Sequence, residues 1–210
     1  MVNRGFFIVL EGTDRSGKTL HSNMIRGELE RRGEKCIIVG FPDRKTEIGK
    51  ILDLYLRKQL RLSPEVSHLL FCANRWELND YIKQQLENGV HVICDRYSFS
   101  GVAYSSGAVN LDIEWCKSPE KGLVSPDIVL FLDTNLEICS ERTGFGEEIY
   151  ENTKDQQNVY DSYKHFLKYP YWHSINASRD PQMVSNEIIS LLEKKLLNRK
   201  LEPLKCLWQE

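Results

Sequence analysis

The chain has 210 residues, 41% hydrophobic and 28% charged, a composition that excludes a disordered protein and leaves room for a substantial core. Lys and Arg number 28 against 30 Asp and Glu, so no basic surface for coating nucleic acid is expected, and any anionic ligand must be held by local clusters. No run reaches the ~18 apolar residues of a membrane span, and the short apolar start lacks a signal-peptide pattern; the expectation is a cytoplasmic protein, with the nucleus also open to it, that uses neither membrane nor nucleic acid.

In chain order, F-F-I-V-L (6–10) reads as a buried strand, followed by a helix over 18–32 that ends near Gly33. C-I-I-V-G (36–40) is a second strand and 47–59 a second helix. Ser63-Pro64-Glu65 opens a long helix, with Ser at the cap and Pro in the first turn, that runs to about Asn88-Gly89. H-V-I-C-D (91–95) and D-I-V-L-F-L (127–132) are further strands, W-H-S-I-N-A (172–177) a weaker fifth. Asp180-Pro181 starts a last helix with Met183, Val184, Ile188, Leu191, Leu192 and Leu196 at helical spacing. Apolar strands alternating with helices predict an α/β fold: a five-stranded parallel sheet covered on both faces, three layers deep, in one domain over 1–210. The six cysteines, at 36, 72, 94, 116, 139 and 206, have no C-x-x-C spacing and read as reduced thiols.

Ligands of such sheets bind at the carboxyl ends of the strands. Three strand ends carry charge: Asp14-Arg15, Phe41-Pro42-Asp43-Arg44 and Asp95-Arg96-Tyr97. The first lies in Gly12-x-x-Arg15-Ser16-Gly17-Lys18-Thr19, a match to G-x-x-x-x-G-K-[ST] placed between a strand and a helix. Its backbone N–H groups cradle phosphates, Lys18 reaches the β and γ groups, and the Thr19 hydroxyl suits Mg²⁺. The rival is a chance match in a glycine turn. Asp95-Arg96 reads as a Mg²⁺-organising carboxylate beside a phosphate clamp, or as a strand-end ion pair. Arg44 meets an anion or stays a solvated loop arginine, and Pro42 fixes the turn.

Within the long helix, Leu69, Leu70, Ala73 and Trp76 form one stripe, and Phe71 and Arg75 share a face offset from it. A base stacked on Phe71 with Arg75 at its polar edge is one reading; core packing is the other. Trp76 is expected in the core and His68 in a structural role. Ser98–Gly107, which includes Ser100, Gly101 and Tyr104, reads as a small-residue loop that either lines a nucleoside pocket or merely connects. The glycines of Thr143–Glu151, after a helix carrying Arg142, suit a lid at about 142–150 that excludes water. Asn176–Arg179 is a weak candidate for the adenine side.

Together E-G-x-D-R-S-G-K-T, F-P-D-R, H-L-L-F-C-A-N-R-W-E, D-R-Y-S-F-S-G-V-A-Y and G-E-E-I-Y-E resemble the thymidylate kinase family, of the eukaryotic and poxviral type, in the family's order over about residues 4–180. The resemblance implies a P-loop NTPase-type domain, ATP and dTMP as substrates, Mg²⁺, and a homodimer packed through helices. It implies that Asp14 contacts the deoxyribose 3′-hydroxyl, that Phe71 stacks on thymine and that Arg75 reads its edge. Arg44 and Arg96 would hold the acceptor phosphate, with Phe41, Pro42, Ser100 and Gly101 in the acceptor site. Tyr104 would crowd the 2′ position, Tyr150 and Gln156 would border the nucleoside, and Arg142 and Arg179 would flank adenine. Relatives often have serine where this chain has Cys72. The small residues Ser105, Ser106 and Ala108 raise the prospect of dGMP as a side substrate, and dUMP is a further candidate.

Arg15 then has a chemical reason. A monophosphate acceptor is already an anion and needs no general base; the obstacle is charge repulsion, which a cation on the phosphate loop relieves as an arginine finger in cis. Two rival functions remain at this point: a deoxynucleoside kinase, which would need a carboxylate base, and a non-catalytic nucleotide-binding switch.

Overall fold

A computed structural model describes residues 4–197 and 202–209, the side chains of 196 and 197 excepted. The domain expected over 1–210 therefore includes residues 1–3, 198–201 and 210, which lie outside this description, as does the Leu196 side chain.

The strands are β1 (Phe7–Glu11), β2 (Cys36–Gly40), β3 (His91–Asp95), β4 (Ile128–Asp133) and β5 (Trp172–Asn176), all parallel in the order β2-β3-β1-β4-β5. The helices are α1 (Lys18–Arg31), α2 (Glu47–Leu56), α3 (Pro64–Glu87), α4 (Ser98–Gly107), α5 (Ile113–Lys117), α6 (Leu136–Ser140), α7 (Thr153–Tyr163) and α8 (Pro181–Leu197). Alternation along the buried strands serves two cores. Phe7, Val9, Val92, Cys94, Val129 and Phe131 pack under Ile82, Leu86, Val102 and Val159 of α3, α4 and α7. Ile8, Leu10, Ile93, Leu130, Leu132 and Ile175 pack under Ile25 and Leu29 of α1 and Val184 and Ile188 of α8. The result is a three-layer α/β/α fold.

The pairing register sets Leu10 and Gly40 beside Asp95, Glu11 beside Phe131, and Asp133 beside Asn176, so the carboxyl ends form one rim. Ser63 caps α3 by accepting from Val66 N, and Gly89 follows its end at φ 78°.

Four expectations need correction. Ser98–Gly107 is a helix, not a loop: its glycines allow close approach to neighbouring elements, and a Cβ on Gly107 would stand 2.6 Å from the Asn158 carbonyl. The second helix stops at Leu56, because Lys58 turns at φ 63°. Arg142 follows α6 rather than lying on it. Trp76 is 40% and Leu69 45% exposed, so the apolar stripe of α3 faces outward, while His68, Cys72, Asn74, Arg75, Asn79, Ile82 and Leu86 face inward. Met183 on α8 is likewise exposed. Among the described residues no helix is long and apolar enough to cross a membrane, and all six cysteines are free thiols.

Candidate active site

The loop after β1 wraps back on itself. Gly12 adopts φ 146°, and a Cβ there would stand 2.7 Å from Ser16 Oγ and 3.0 Å from the Leu132 carbonyl, so a side chain at this position would be both strained and crowded. Lys18 opens α1 and donates to the carbonyls of Gly12 (3.2 Å) and Thr13 (2.6 Å) and to Ser16 Oγ (3.2 Å). Burial, with the neighbouring Arg96 charge, lowers its pKa to about 8. Thr19 Oγ1 donates to Asp95 Oδ2 at 2.6 Å. These hard oxygens fit Mg²⁺, which favours one or two protein ligands plus waters and substrate phosphates over an all-protein cage. No cluster of three or more metal-binding side chains occurs among the described residues.

Arg15 and Arg96 sit at φ 60° and 68°, a left-handed conformation rare for arginine. Arg96 donates to the Gly12 carbonyl (2.9 Å), to Asp14 and to Ser100 Oγ (3.3 Å), and its guanidinium lies over the Tyr104 ring. Arg15 turns toward the segment after α6, where it pairs with Glu151 (2.9 Å) and donates to the carbonyls of Thr143 and Gly144.

Residues 142–150 form turns and no regular element. They are strapped to α2: Ile149 N donates to the Leu56 carbonyl (2.9 Å), Lys58 Nζ to Gly146 O (3.0 Å), and Arg44 bridges Asp53 and Glu148. Arg142 donates to the Arg15 carbonyl.

On the far side of the cleft, the Phe41–Pro42 peptide is cis. Phe71 stands edge-on to Tyr55, whose hydroxyl bonds that of Tyr150 at 2.7 Å. Arg75 is buried and held by Glu120, while Gly101 packs against its guanidinium. The buried Tyr104 hydroxyl makes no hydrogen bond of ordinary geometry among the described residues, and Tyr104 stands edge-on to Tyr150. His68 is structural as expected, bonded to Ser105 Oγ (2.7 Å) and the Cys116 carbonyl (2.9 Å). Ser105 thus lines the cleft with its hydroxyl engaged; Ser106 and Ala108 do not line it. Burial pushes the Cys72 thiol up to about 12, which makes it a packing residue rather than a reactive thiolate.

One cleft of about 860 Å³ gathers Asp14 to Thr19, Phe41, Pro42, Arg44, Phe71, Arg75, Asp95, Arg96, Ser100, Gly101, Tyr104, Arg142, Tyr150 and Arg179. Gly12 and Gln156 stand one layer behind. The Gln156 amide accepts from Asp14 N (2.8 Å) and donates to Asp14 Oδ2 (2.7 Å) and to the Tyr150 carbonyl (2.9 Å). Arg179, paired with Glu187, and Ala177 and Pro181 form the end nearest α8.

Sequence reasoning missed several members. Glu120 and Tyr55 carry no motif. Glu148 and Glu151 lay inside the lid string, where their charge hinted at arginine partners. Glu11 opens the phosphate-loop string but was given no role.

The thymidylate kinase family model matches residues 10–188. The chain is 43% identical over 200 residues to a thymidylate kinase of Plasmodium falciparum, covering 95% of this chain and 93% of that one. It is 39% identical over 208 residues to a thymidylate kinase of Homo sapiens, with 98% of each covered. A solved structure of the Candida albicans thymidylate kinase superposes with a TM-score of 0.88 at 32% identity, covering 97% of this chain and 98% of that one.

Proposed function

As the chain belongs to the thymidylate kinase family, and is thereby an enzyme of the nucleoside monophosphate kinase class, we propose that it moves the γ-phosphoryl group of ATP onto dTMP, giving dTDP and ADP. One observation carries this. A phosphate loop with Lys18 and a pocket with Phe71 and Arg75 open into a single cleft, and Arg96 stands between them, bonded to Gly12.

The dTMP phosphate, largely a dianion at neutral pH because its second pKa is ≈ 6, rests against Arg44 and Arg96. Its oxygen attacks the γ-phosphorus, the bond to the β,γ-bridging oxygen breaks, and ADP leaves. Lys18 and the loop N–H groups hold the donor phosphates, while Arg15 is the cis arginine finger for the charge that develops. Thr19 and Asp95 would hold Mg²⁺, which supplies charge neutralisation across the β- and γ-phosphates. Phe71 stacks on thymine, Arg75 meets its polar edge, and Tyr104 crowds the 2′ position. Asp14, backed by Gln156, meets the 3′-hydroxyl. Arg142 and Arg179 flank adenine, and the lid over 142–150 excludes water.

We read the chain as one catalytic domain that acts as a homodimer in the cytoplasm or nucleus. The outward row Val66, Leu69 and Trp76 supports the dimer. The Candida albicans relative is described as having broad substrate specificity, which supports testing dUMP and dGMP as side substrates. The experiment is ADP release with ATP, Mg²⁺ and a panel of dTMP, dUMP, dGMP, UMP, AMP and thymidine. Turnover centred on dTMP is expected. Turnover on thymidine alone would replace the proposal with a nucleoside kinase.

A further inference from the structure

Glu11, the last residue of β1, takes no part in the transfer described above, yet its fully buried carboxylate accepts from four donors. They are Tyr97 N at 2.9 Å, Ser100 N at 3.1 Å, Ser100 Oγ at 2.5 Å and the Tyr163 hydroxyl at 3.0 Å. Burying a carboxylate is costly unless its oxygens are satisfied. Two of its donors are backbone N–H groups at the start of α4, that of the N-cap residue Tyr97 and that of Ser100 in the first turn, and Tyr97 itself provides no side-chain cap. Glu11 supplies that cap from 86 residues away, at the helix end where an anion is favoured.

The neighbouring connections give the cap a consequence. Arg96 precedes α4, and α4 carries Ser100, Gly101 and Tyr104 into the acceptor half of the cleft. Ser100 Oγ, held by Glu11, also accepts from Arg96. The next carbonyl along the chain, that of Gly12, accepts from Arg96 at 2.9 Å and from Lys18 at 3.2 Å. Glu11 and Gly12 thus tie the donor loop, the acceptor arginine and the acceptor helix at one point.

We infer that Glu11 is a positioning residue that fixes the separation of the donor and acceptor phosphates and couples the binding of the two nucleotides. This rests on the dTMP kinase reading. Through Glu11, ordering of the loop by ATP also orders α4 and Arg96, so each nucleotide strengthens the other's binding.

The test is calorimetric titration of dTMP, with and without a non-hydrolysable ATP analogue, together with steady-state kinetics, on wild type, Glu11→Gln and Tyr163→Phe. Wild type should bind dTMP at least about fivefold tighter with the analogue present, and Glu11→Gln should bring that factor close to one. Glu11→Gln should lower kcat at least about tenfold while affinity for the analogue alone stays within about threefold. A purely structural role would lower Tm and leave the coupling factor unchanged. A wild type without coupling, or a Glu11→Gln variant with normal coupling and kcat, overturns the inference. If Glu11→Gln does not fold, Tyr163→Phe decides: it removes one donor and keeps the ring, so reduced coupling supports the inference and normal coupling overturns it. Wild type inactive on dTMP would count against the kinase reading, whereas active wild type with unaltered variants would count against Glu11 alone.

Discussion

Arg75 and Glu120 face each other with both side chains sealed from water, 2% and 0% exposed, and Arg75 Nε donates to Glu120 Oε2 at 2.9 Å. The arginine assigned to the base edge is therefore aimed by a residue from a different segment. Removing one partner of a buried pair leaves an uncompensated charge, at a cost of about 3–5 kcal/mol. Glu120→Ala should lower Tm by roughly 6–20 °C in scanning calorimetry for a chain of this size. It should also raise KM for dTMP more than KM for ATP. A melting point within a degree or two of wild type would contradict the sealed pair.

Gly101 tests the same arginine from the opposite side. A Cβ on Gly101 would stand 2.3 Å from Arg75 Nη2 and 3.0 Å from Glu120 Oε1. A solvated arginine tip would swing away, but this one is held by its counter-ion. Gly101→Ala should therefore displace the guanidinium from the base site, raising KM for dTMP about tenfold or more with KM for ATP nearly unchanged. Steady-state kinetics with each nucleotide varied in turn checks this.

Arg15 separates function from stability. Arg15→Gly removes the pair with Glu151 and the bonds to the Thr143 and Gly144 carbonyls, but Glu151 keeps the N–H groups of Gly146 and Glu148, and the left-handed backbone suits glycine better than arginine, which offsets part of the loss. If it is the cis finger, kcat should fall on the order of 10³-fold while KM for dTMP changes little. Tm should stay within a few degrees. Near-normal kcat would refute the assignment.

Lys18 predicts a pH dependence with a definite sign. Its pKa is lowered to about 8 in the free protein, and bound polyphosphate raises it by favouring the charged form. ATP binding should therefore take up protons between about pH 8 and 10 and weaken close to tenfold per pH unit above the free-protein value. Titration calorimetry in two buffers of different ionisation enthalpy measures the uptake directly. Lys18→Met should abolish it; an uptake that persists in that variant would assign the proton to another group.

The sheet and the three converging strand ends were legible because strand alternation and the G-x-x-x-x-G-K-T spacing are local signals. α4 was not, because Ser98–Gly107 has poor helix propensity and is held in place by Glu11, Arg75 and α7, all distant in sequence. The outward turn of Trp76 was hidden for a related reason. The inner face of α3 is polar where it builds the pocket, so hydrophobicity pointed to the wrong side. Glu120 lies 45 residues from the arginine it orients, beyond the reach of any spacing rule.

That outward face supplies the last prediction. Val66, Leu69 and Trp76 recur at helical spacing on α3 and are 45%, 45% and 40% exposed in the single chain, while Trp76 Nε1 is already bound to the Pro119 carbonyl. An apolar row on one helix, with its polar atom satisfied, is suited to burial against another surface. The dimer that the family resemblance implies would cover it, and an isologous contact would set the row against its own copy. A carboxylate at its centre would then meet its twin in a desolvated setting. Leu69→Glu should shift the protein from dimer to monomer at micromolar concentration in sedimentation equilibrium, whereas a comparable change at exposed Met183 on α8 should leave the dimer intact. Because α3 also carries Phe71 and Arg75, the monomer should bind dTMP more weakly. A Leu69→Glu variant that sediments as a dimer would place the interface elsewhere and leave this row without its assigned role.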